Sequence, residues 1–383
     1  MAKPLKTTFT IPQLFRVDSP LVTTLLAVTA LLVGFGLLMV LSASSVTSGI
    51  NNQGNFLYDS MIQLLGAMLG ITIAVTISRF KVGVWRRWRN SFVLGGLIMQ
   101  ALVLFTPLGV EIGGNRNWLD IGFTTIQPSE FIKLAVIVWL AVWLHDNPRF
   151  MELEPAEWRP PAIWAFLPLA LVALGRDLGT SIVLFLIILG MFAFAGMPAR
   201  PMLYAVGFVG VLGALYIGLS DRRERFVTWL TGCRPEDYEG VCWQNIHGYW
   251  ALGSGGLFGL GAGSSRSKWS WLPHADSDYI FAIIGEEFGL IGASFVIVVF
   301  VILAVTLVRL MRAYPQPLTR SVIGGVMIWL VGQAFINIGV VLGIFPVLGV
   351  PLPFVSSGGS ALLANLMAVG VVVSCVRYEE RYG

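Results

Sequence analysis

Long apolar stretches alternate with short polar segments along most of the 383 residues. A helix needs roughly 17–25 predominantly apolar residues to cross a bilayer. We therefore predict ten membrane-spanning helices, at Leu21–Val40, Phe56–Ile77, Ser91–Pro107, Ser129–Leu144, Ala162–Leu174, Gly179–Ala195, Met202–Leu219, Tyr279–Leu310, Val322–Phe345 and Ser360–Val376. The fifth stretch is short and the eighth is overlong, which indicates a re-entrant or tilted segment.

The composition supports this pattern, because 56% of the residues are hydrophobic and only 12% are charged. A soluble domain could not bury so much apolar side chain. The predicted fold class is an all-α polytopic membrane protein, with one domain over residues 1–383. One long extracytoplasmic loop is predicted at about residues 221–278.

Basic side chains are unevenly distributed between the two sides of the predicted helices. Most of the 25 lysines and arginines fall on one side, beginning with Lys3, Lys6 and Arg16. Because cytoplasmic loops collect Lys and Arg, we predict that both termini are cytoplasmic. The isoelectric point of about 9.0 mostly reflects these cytoplasmic basic residues, which face anionic membrane lipid. We therefore predict no nucleic-acid partner.

Four acids lie close together where the eighth predicted helix begins: Asp276, Asp278, Glu286 and Glu287. A carboxylate at a membrane boundary is costly to bury, so it usually has a partner, a water-filled cavity or a function. Asp278 is therefore the first candidate for catalysis. Alternatively, Ser277 or Asp278 caps a helix that starts near Tyr279, with the glutamates facing its positive end or the lumen.

The segment Glu111–Lys133 leads from an outer loop with Arg116, Trp118 and Asp120 into the fourth predicted helix. Glu130 and Lys133 are three residues apart, so they share a helix face and can pair. They form either a structural ion pair or part of a binding site. In the second case Lys133 and Arg116 present positive charge to an anionic group among the helices.

Two further outer segments carry polar side chains. Asp177 follows Arg176 in a tight turn, where it either caps the next helix or adds a carboxylate to the outer face. The long loop opens with DRRERFVTWL, an amphipathic helix of the kind that lies in the membrane interface. Cys233 and Cys242 follow it on the oxidising side in this topology, which predicts a disulfide.

Two glycine-containing stretches interrupt the apolar pattern. Seven glycines lie between residues 248 and 263 without a P-loop lysine, so they indicate either a backbone that approaches a ligand or close helix contacts. Prolines and a GGS turn separate the last two predicted helices. Irregular backbone at membrane depth is tolerated only inside protein or beside a water-filled cavity. We therefore expect an outer cavity lined by several loops.

Five motifs in sequence order resemble the SEDS family of bacterial peptidoglycan polymerases, named for shape, elongation, division and sporulation. They are GGNRNWLDIGFTTIQPSEFIKLA, RDLGT, GSGGLFGLGAGSS, LPHADSDYIFAIIGEEFGLIG and PVLGVPLPFVSSGGSALLAN. The resemblance runs from LSASS at residues 41–45 to the last helix. The sequence IGEE at residues 284–287 resembles the division-type members more closely than the elongation-type members.

The resemblance implies a glycosyltransferase that polymerises lipid II, the undecaprenyl-pyrophosphate-linked disaccharide peptide, outside the bacterial cytoplasmic membrane. Asp278 matches the family's essential acid and is the expected general base. Trp118, Glu130, Lys133 and Asp177 match further motif positions, whereas Asn117 separates Arg116 from Trp118.

The chemistry of the reaction assigns roles to these residues. Lys133, with Arg116 as second cation, is expected to hold the pyrophosphate, and Glu130 to fix Lys133. Asp177 is expected to orient substrate or to help bind a divalent cation, Mg²⁺ or Mn²⁺, because no Cys or His ligand cluster is present.

The resemblance also implies a partner, a class B penicillin-binding protein transpeptidase. Glycines allow close helix approach in membranes, so we predict contact at the ninth helix, through Gly324, Gly325 and Gly332, and at the eighth, through Gly289 and Gly292. The alternative is that these glycines pack the protein's own helices. Two other function classes remain open: a transporter of lipid-linked precursors, with charges through the lower half of its helices, and a scaffold, which needs no outer acid.

Overall fold

The computed structural model describes residues 19–122, 124–218, 223–233, 237–269 and 271–382. The N-terminal Lys3, Lys6 and Arg16 and the start of the predicted loop at Asp221 and Arg222 lie outside the described residues. The helices are α1 (Pro20–Asn51), α2 (Tyr58–Ile77), α3 (Val82–Phe105), α4 (Pro128–Asp146), α5 (Arg159–Leu174), α6 (Leu178–Phe194), α7 (Ala199–Gly218), α8 (Arg223–Thr231), α9 (Trp243–Gly255), α10 (Ile280–Ala313), α11 (Pro317–Val341) and α12 (Gly359–Tyr382). Short 3₁₀ turns at Phe150–Glu152 and Pro155–Trp158 precede α5.

The chain is a polytopic, predominantly helical membrane protein, as predicted. Within the described residues, eight helices are long and apolar enough to cross a membrane, namely α1, α2, α3, α4, α7, α10, α11 and α12. The fifth and sixth predicted spans correspond to α5 and α6, which are apolar but shorter. Proline occupies the first turn of α1, α4 and α11, where its missing N–H leaves no helical bond unmade.

The helix α4 lies at the centre of the bundle. In its most apolar 18-residue window, 89% of the residues are buried, against 0% in α7. Helices α3, α6 and α11 pack around α4, while α12 packs on α2 and α1 packs on α10. At one end of the bundle, the first turns of α4 and α6 therefore lie close to the segments that precede α10 and α12.

The overlong eighth span is a helix with a break inside it. Gly289 in α10 has φ 65° and ψ −162°, a conformation that glycine adopts without strain. The glycine-rich loop after α9 packs into the break, where the main-chain N–H of Leu260 donates to the Glu286 carbonyl (2.9 Å). A Cβ on Gly289 would lie 2.4 Å from the Gly259 nitrogen. Gly289 is therefore an internal contact rather than part of a partner surface.

Two glycines of the ninth span are also internal. A Cβ on Gly324 would lie 2.7 Å from Cδ2 of Phe194 in α6, and one on Gly325 would lie 2.8 Å from Cγ2 of Ile137 in α4. The prediction that Gly324 and Gly325 face a partner is wrong, because they allow α11 to approach its neighbours closely. Gly332 is half-buried and has more space around it.

The segment before α4 contains β-structure that the all-α prediction missed. It forms strands β1 (Gly109–Ile112), β2 (Asn115–Asp120) and β3 (Thr125–Ile126), which pair antiparallel in the order β1-β2-β3. Gly113 and Gly114, with φ of 60° and 82°, make the first turn. Strands this short carry little of the alternation by which strands are recognised in a sequence, although Asn117 and Leu119 in β2 are both buried.

Candidate functional site

A cavity of about 480 Å³ lies at the end of the bundle that carries the small sheet. Its walls come from β1 and β2, from the residues before α4 and α6, from α8 and α9, and from the segments before α10 and α12. These elements are distant in sequence and are held together by the helix packing. The expected cavity lined by several loops is therefore present.

Asp278 lines this cavity and is fixed by a turn immediately before α10. His274 has a left-handed φ of 55°, and its carbonyl accepts hydrogen bonds from the main-chain N–H groups of Ser277 (3.2 Å) and Tyr279 (3.1 Å). The helix begins at Ile280 with Tyr279 as N-cap, and no side chain caps it. The capping interpretation of Ser277 and Asp278 is therefore wrong, and the Asp278 carboxylate is left available to the cavity.

The surroundings of Asp278 change its protonation. Burial raises the pKa of this carboxyl from 3.8 to about 6, His274 opposes the rise, and the negative charges of Asp177 and Asp276 add to it. A Cβ on Gly349 would lie 3.5 Å from Oδ2 of Asp278, so the backbone closely approaches the carboxylate there. A carboxyl of this pKa is ionised at neutral pH and is a stronger base than an ordinary aspartate.

Asp177 lines the same cavity and also caps α6. Its Oδ1 accepts a hydrogen bond from the Thr180 N–H (2.9 Å), and its Oδ2 accepts one from the Gln127 side-chain amide (3.3 Å). Arg176 before it has φ 63°, which turns the chain sharply into the helix. The predicted helix cap is therefore confirmed, and the same carboxylate contributes to the cavity wall.

Trp118 and Arg116 both lie on β2 but have different surroundings. Trp118 lines the cavity. The Arg116 guanidinium instead donates to the carbonyls of Val103 (2.9 Å) and Thr106 (2.8 Å) at the end of α3. A cation at a helix C-terminus satisfies carbonyls that have no helical partner. The structure does not bring Arg116 to the cavity.

Glu130 and Lys133 form a buried ion pair in the first turns of α4. The Lys133 Nζ lies 2.7 Å from Glu130 Oε1 and donates a second hydrogen bond to Gln333 Oε1 (2.8 Å). The ammonium also lies 4.9 Å from the centre of the Trp329 ring. Both charged side chains are almost fully buried, and neither lines the cavity. Their geometry is that of the structural ion pair.

The other two acids of the predicted cluster hold the glycine-rich loop. Glu286 accepts hydrogen bonds from the Ser265 hydroxyl (2.6 Å) and the Arg266 N–H (3.1 Å). Glu287 pairs with Lys268, with 3.5 Å between Nζ and Oε1. Both glutamates are buried and face this loop rather than the lumen of the cavity.

Several polar residues of the site were not predicted. Gln333 and Asn337 are one turn apart in α11, and both are buried. Gln333 donates to the Pro351 carbonyl (2.9 Å), and Asn337 donates to the carbonyls of Val350 (2.7 Å) and Asp278 (2.8 Å). The sequence feature that could have identified them is a pair of amide side chains four residues apart in an apolar span, because buried polar groups in membranes need partners.

Further unpredicted residues line the cavity, namely Gln127, Arg225, Glu239, Asn245 and His274. The amphipathic pattern that predicts α8 assigns it to the membrane interface, which gives no reason to expect Arg225 at a cavity wall. In the adjoining loop, the structure joins Cys233 to Cys242 by the predicted disulfide, and Cys242 contributes to the same wall.

Comparison with known sequences identifies relatives along nearly the whole chain. The family model for FtsW, RodA and SpoVE proteins, described as "Cell cycle protein", matches residues 22–381. The probable peptidoglycan glycosyltransferase FtsW of Mycobacterium tuberculosis strain H37Rv is 36% identical over 358 residues, which cover 93% of this chain and 67% of that protein. Stage V sporulation protein E of Bacillus subtilis strain 168 is 35% identical over 358 residues, covering 93% and 97%.

Solved structures share the fold. A chain from work on the structural coordination of polymerization and crosslinking by a peptidoglycan synthase complex superposes with a TM-score of 0.74 at 25% identity, covering 94% of this chain and 97% of that one. The rod shape determining protein RodA of Thermus thermophilus superposes with a TM-score of 0.68 at 24% identity, with the same coverage. The second likeness concerns the fold alone.

Proposed function

The chain belongs to the FtsW/RodA/SpoVE family of cell cycle proteins, and we infer from this and from its cavity that it is a peptidoglycan glycosyltransferase. Its relatives include several proteins named as probable FtsW glycosyltransferases, so the chain is FtsW-like. The protein extends glycan strands of the cell wall by joining disaccharide units.

The observation that carries the mechanism is the position of Asp278 in the cavity. Strand extension requires a sugar hydroxyl of one unit to attack the anomeric carbon of another. A new C–O bond forms, the bond from that carbon to the diphosphate oxygen breaks, and the hydroxyl proton must pass to a base. Asp278, with a pKa of about 6, is ionised at neutral pH and is basic enough to accept this proton.

Trp118 and Asp177 line the same cavity as Asp278, which supports a role for both in holding substrate. Hydrogen bonds from Thr180 and Gln127 fix the Asp177 carboxylate. A carboxylate fixed in this way can still accept a hydrogen bond from a sugar hydroxyl, because each of its oxygens has two lone pairs. Asp177 therefore orients one of the two sugars relative to Asp278.

The proposed substrate is lipid II. Its polyprenyl tail needs an apolar environment, whereas its diphosphate and sugars need a polar one. The cavity lies at the end of the membrane-spanning helices, so the tail can remain in lipid while the headgroup enters between the sheet, α8 and α9. We place the cavity outside the cytoplasm, with both termini inside. The disulfide at Cys233 and Cys242 supports this orientation, since disulfides persist on the oxidising side of the membrane.

The proposed protein partner is a class B penicillin-binding protein, which would crosslink the glycan made here. Support comes from the similar chain in a peptidoglycan synthase complex that coordinates polymerization and crosslinking. With Gly289, Gly324 and Gly325 assigned to internal packing, Gly292 on the eighth span and Gly332 on the ninth remain candidates for close approach of a partner helix.

A divalent cation, Mg²⁺ or Mn²⁺, remains part of the proposal. Within the part of the chain that the structure describes, no three His, Cys, Asp or Glu side chains lie close enough to hold a metal ion. Mg²⁺ often binds through one or two carboxylates together with substrate phosphates. Asp177 with the substrate diphosphate would supply such a set, and the ion would then stabilise negative charge on the leaving group.

Replacing Asp278 by Asn tests the mechanism, because Asn keeps the size of the side chain and removes the base. We expect glycan polymerisation from purified lipid II to fall by about 10²–10⁴-fold, with unchanged membrane insertion. The matched control is Asp276→Asn, two residues earlier in a position that does not line the cavity, and it should keep most of the activity. The proposal would be contradicted if Asp278→Asn polymerised lipid II at the wild-type rate. It would also be contradicted if the wild-type protein moved lipid II across vesicle membranes without making glycan.

A further inference from the structure

The cavity lacks the cations that were expected to hold a diphosphate. Lys133 is buried against Glu130 and Gln333, and the Arg116 guanidinium binds the carbonyl groups at the end of α3. Among the described residues that line the cavity, the carboxylates are Asp177, Glu239 and Asp278. A polyanionic leaving group entering this space needs positive charge to offset them.

Arg225 supplies that charge. It is the one side chain with a permanent positive charge among the described cavity-lining residues. Arg225 is exposed. Its guanidinium, which carries five N–H donors, makes no hydrogen bond or ion pair with another residue of the described part of the chain.

The helix α8 holds Arg225 at the cavity wall. Thr228, one turn later, also lines the cavity, so this face of α8 is turned inward. On the neighbouring face, the Trp229 indole donates a hydrogen bond to the Gly343 carbonyl (3.1 Å), and its ring packs on Phe226 with 5.6 Å between the ring centres. The hydrogen bond from Trp229 to Gly343, which lies outside α8, fixes the rotation of α8 about its axis.

The charge of Arg225 acts on groups close to the catalytic aspartate. Burial raises the pKa of the Tyr279 phenol, Asp278 adds to the rise, and Arg225 opposes it. Tyr279 follows Asp278 in the chain and donates a hydrogen bond to Oδ1 of Asn245 (2.9 Å), another cavity residue. Arg225 is therefore electrostatically coupled to the same part of the cavity as the proposed base.

We propose that Arg225 binds the diphosphate group of the lipid-linked donor substrate and stabilises it as the leaving group. This inference rests on the proposed function and replaces Lys133 and Arg116 in that role. A guanidinium is suited to it, because its planar fork of donors matches two phosphate oxygens and it stays charged at every physiological pH.

The test measures binding of farnesyl diphosphate and farnesyl monophosphate to the full-length protein in detergent micelles by isothermal titration calorimetry. We expect Arg225→Ala to weaken diphosphate binding by about 10- to 100-fold, the range for a charge-assisted hydrogen-bonded contact. Arg225→Lys should lose less, because it keeps the charge but not the fork. Monophosphate binding should fall by a smaller factor in Arg225→Ala.

The matched control is Arg223→Ala, since Arg223 is exposed on the same helix and does not line the cavity. It should bind farnesyl diphosphate like the wild type. Equal losses in Arg223→Ala and Arg225→Ala would assign the effect to the net charge of α8 and overturn the proposal. Undiminished binding by Arg225→Ala, with an unchanged unfolding temperature, would also overturn it.

A fourth variant separates this inference from the proposed reaction. Asp278→Asn should bind farnesyl diphosphate at least as tightly as the wild type while losing polymerisation, because the base does not hold the leaving group and its negative charge opposes the diphosphate. If Asp278→Asn retains polymerisation, the assignment of the base fails while the role of Arg225 is still decided by the binding data. In steady-state assays, Arg225→Ala should raise KM for lipid II as well as lower kcat.

Discussion

The side-chain amide of Asn337 donates a hydrogen bond of 2.8 Å to the main-chain carbonyl of Asp278. The same nitrogen lies 2.7 Å from the Val350 carbonyl, so one buried amide of α11 joins the turn before α10 to the irregular segment before α12. The hydroxyl of Ser356 donates a further hydrogen bond to the Ser277 carbonyl (2.5 Å). The backbone on either side of the proposed catalytic carboxylate is thus held by residues far away in sequence.

Replacing Asn337 by Leu should therefore lower kcat while the carboxylate itself is intact. Misplacement of a catalytic group by about 1 Å can reduce the rate by about 100-fold, and we expect a loss of that order with little change in KM. Steady-state polymerisation of lipid II measures it. The control is Asn365→Leu, a similarly buried asparagine on α12. If both variants retain wild-type kcat, the bond from Asn337 does not position Asp278.

Asp278 could be predicted from the sequence pattern, because it lies where a polar segment meets an apolar stretch, whereas Trp118 and Asp177 were predicted as substrate residues from the family resemblance. All three line the cavity. The existence of the spans follows from the same pattern. Their number is less certain from sequence, since α5 and α6 are too short to be separated from buried helices by hydropathy alone.

The contacts that Lys133 and Arg116 make could not be predicted in this way. Whether Lys133 faces a ligand or another helix depends on Gln333, which is 200 residues away in the chain. Arg116 satisfies carbonyls of α3 that are exposed only because that helix ends at Phe105. Both outcomes depend on how separate elements pack, and periodicity within one element does not contain that information.

The protonation of Asp278 predicts the acid limb of the pH profile. Because burial raises its pKa to about 6, the base should become protonated, and kcat/KM should fall, as the pH decreases through about 6. An ordinary aspartate would keep activity to a pH near 4. Polymerisation rates measured between pH 4.5 and 8, with lipid II binding followed in parallel, check this expectation.

Two substitutions should move that limb in opposite directions. His274 lowers the pKa of Asp278 and Asp276 raises it. We expect His274→Gln to shift the limb to higher pH and Asp276→Asn to shift it to lower pH. The charges of Asp177 and Arg225 at the same cavity are unchanged in both variants. An acid limb that stays in place in both would show that a different group titrates.

The buried pair of Lys133 and Glu130 leads to a prediction about stability. Removing one partner leaves the other charge buried without compensation, which costs about 3–5 kcal/mol in other proteins. Lys133→Ala should therefore strongly lower the temperature of thermal unfolding. Lys133→Arg should lower it as well, because the larger guanidinium does not fit the space between Glu130, Gln333 and Trp329.

Neutralising both members at once should restore the fold, since replacing a buried ion pair by uncharged residues is often neutral or stabilising. We expect the double variant Glu130→Gln, Lys133→Met to unfold near the wild-type temperature, as measured by intrinsic fluorescence in detergent. Its polymerisation rate then separates two roles. Retained activity assigns the pair to structure, and lost activity in a stable double variant assigns Lys133 to the substrate. Single variants as stable as the wild type would contradict the buried pair itself.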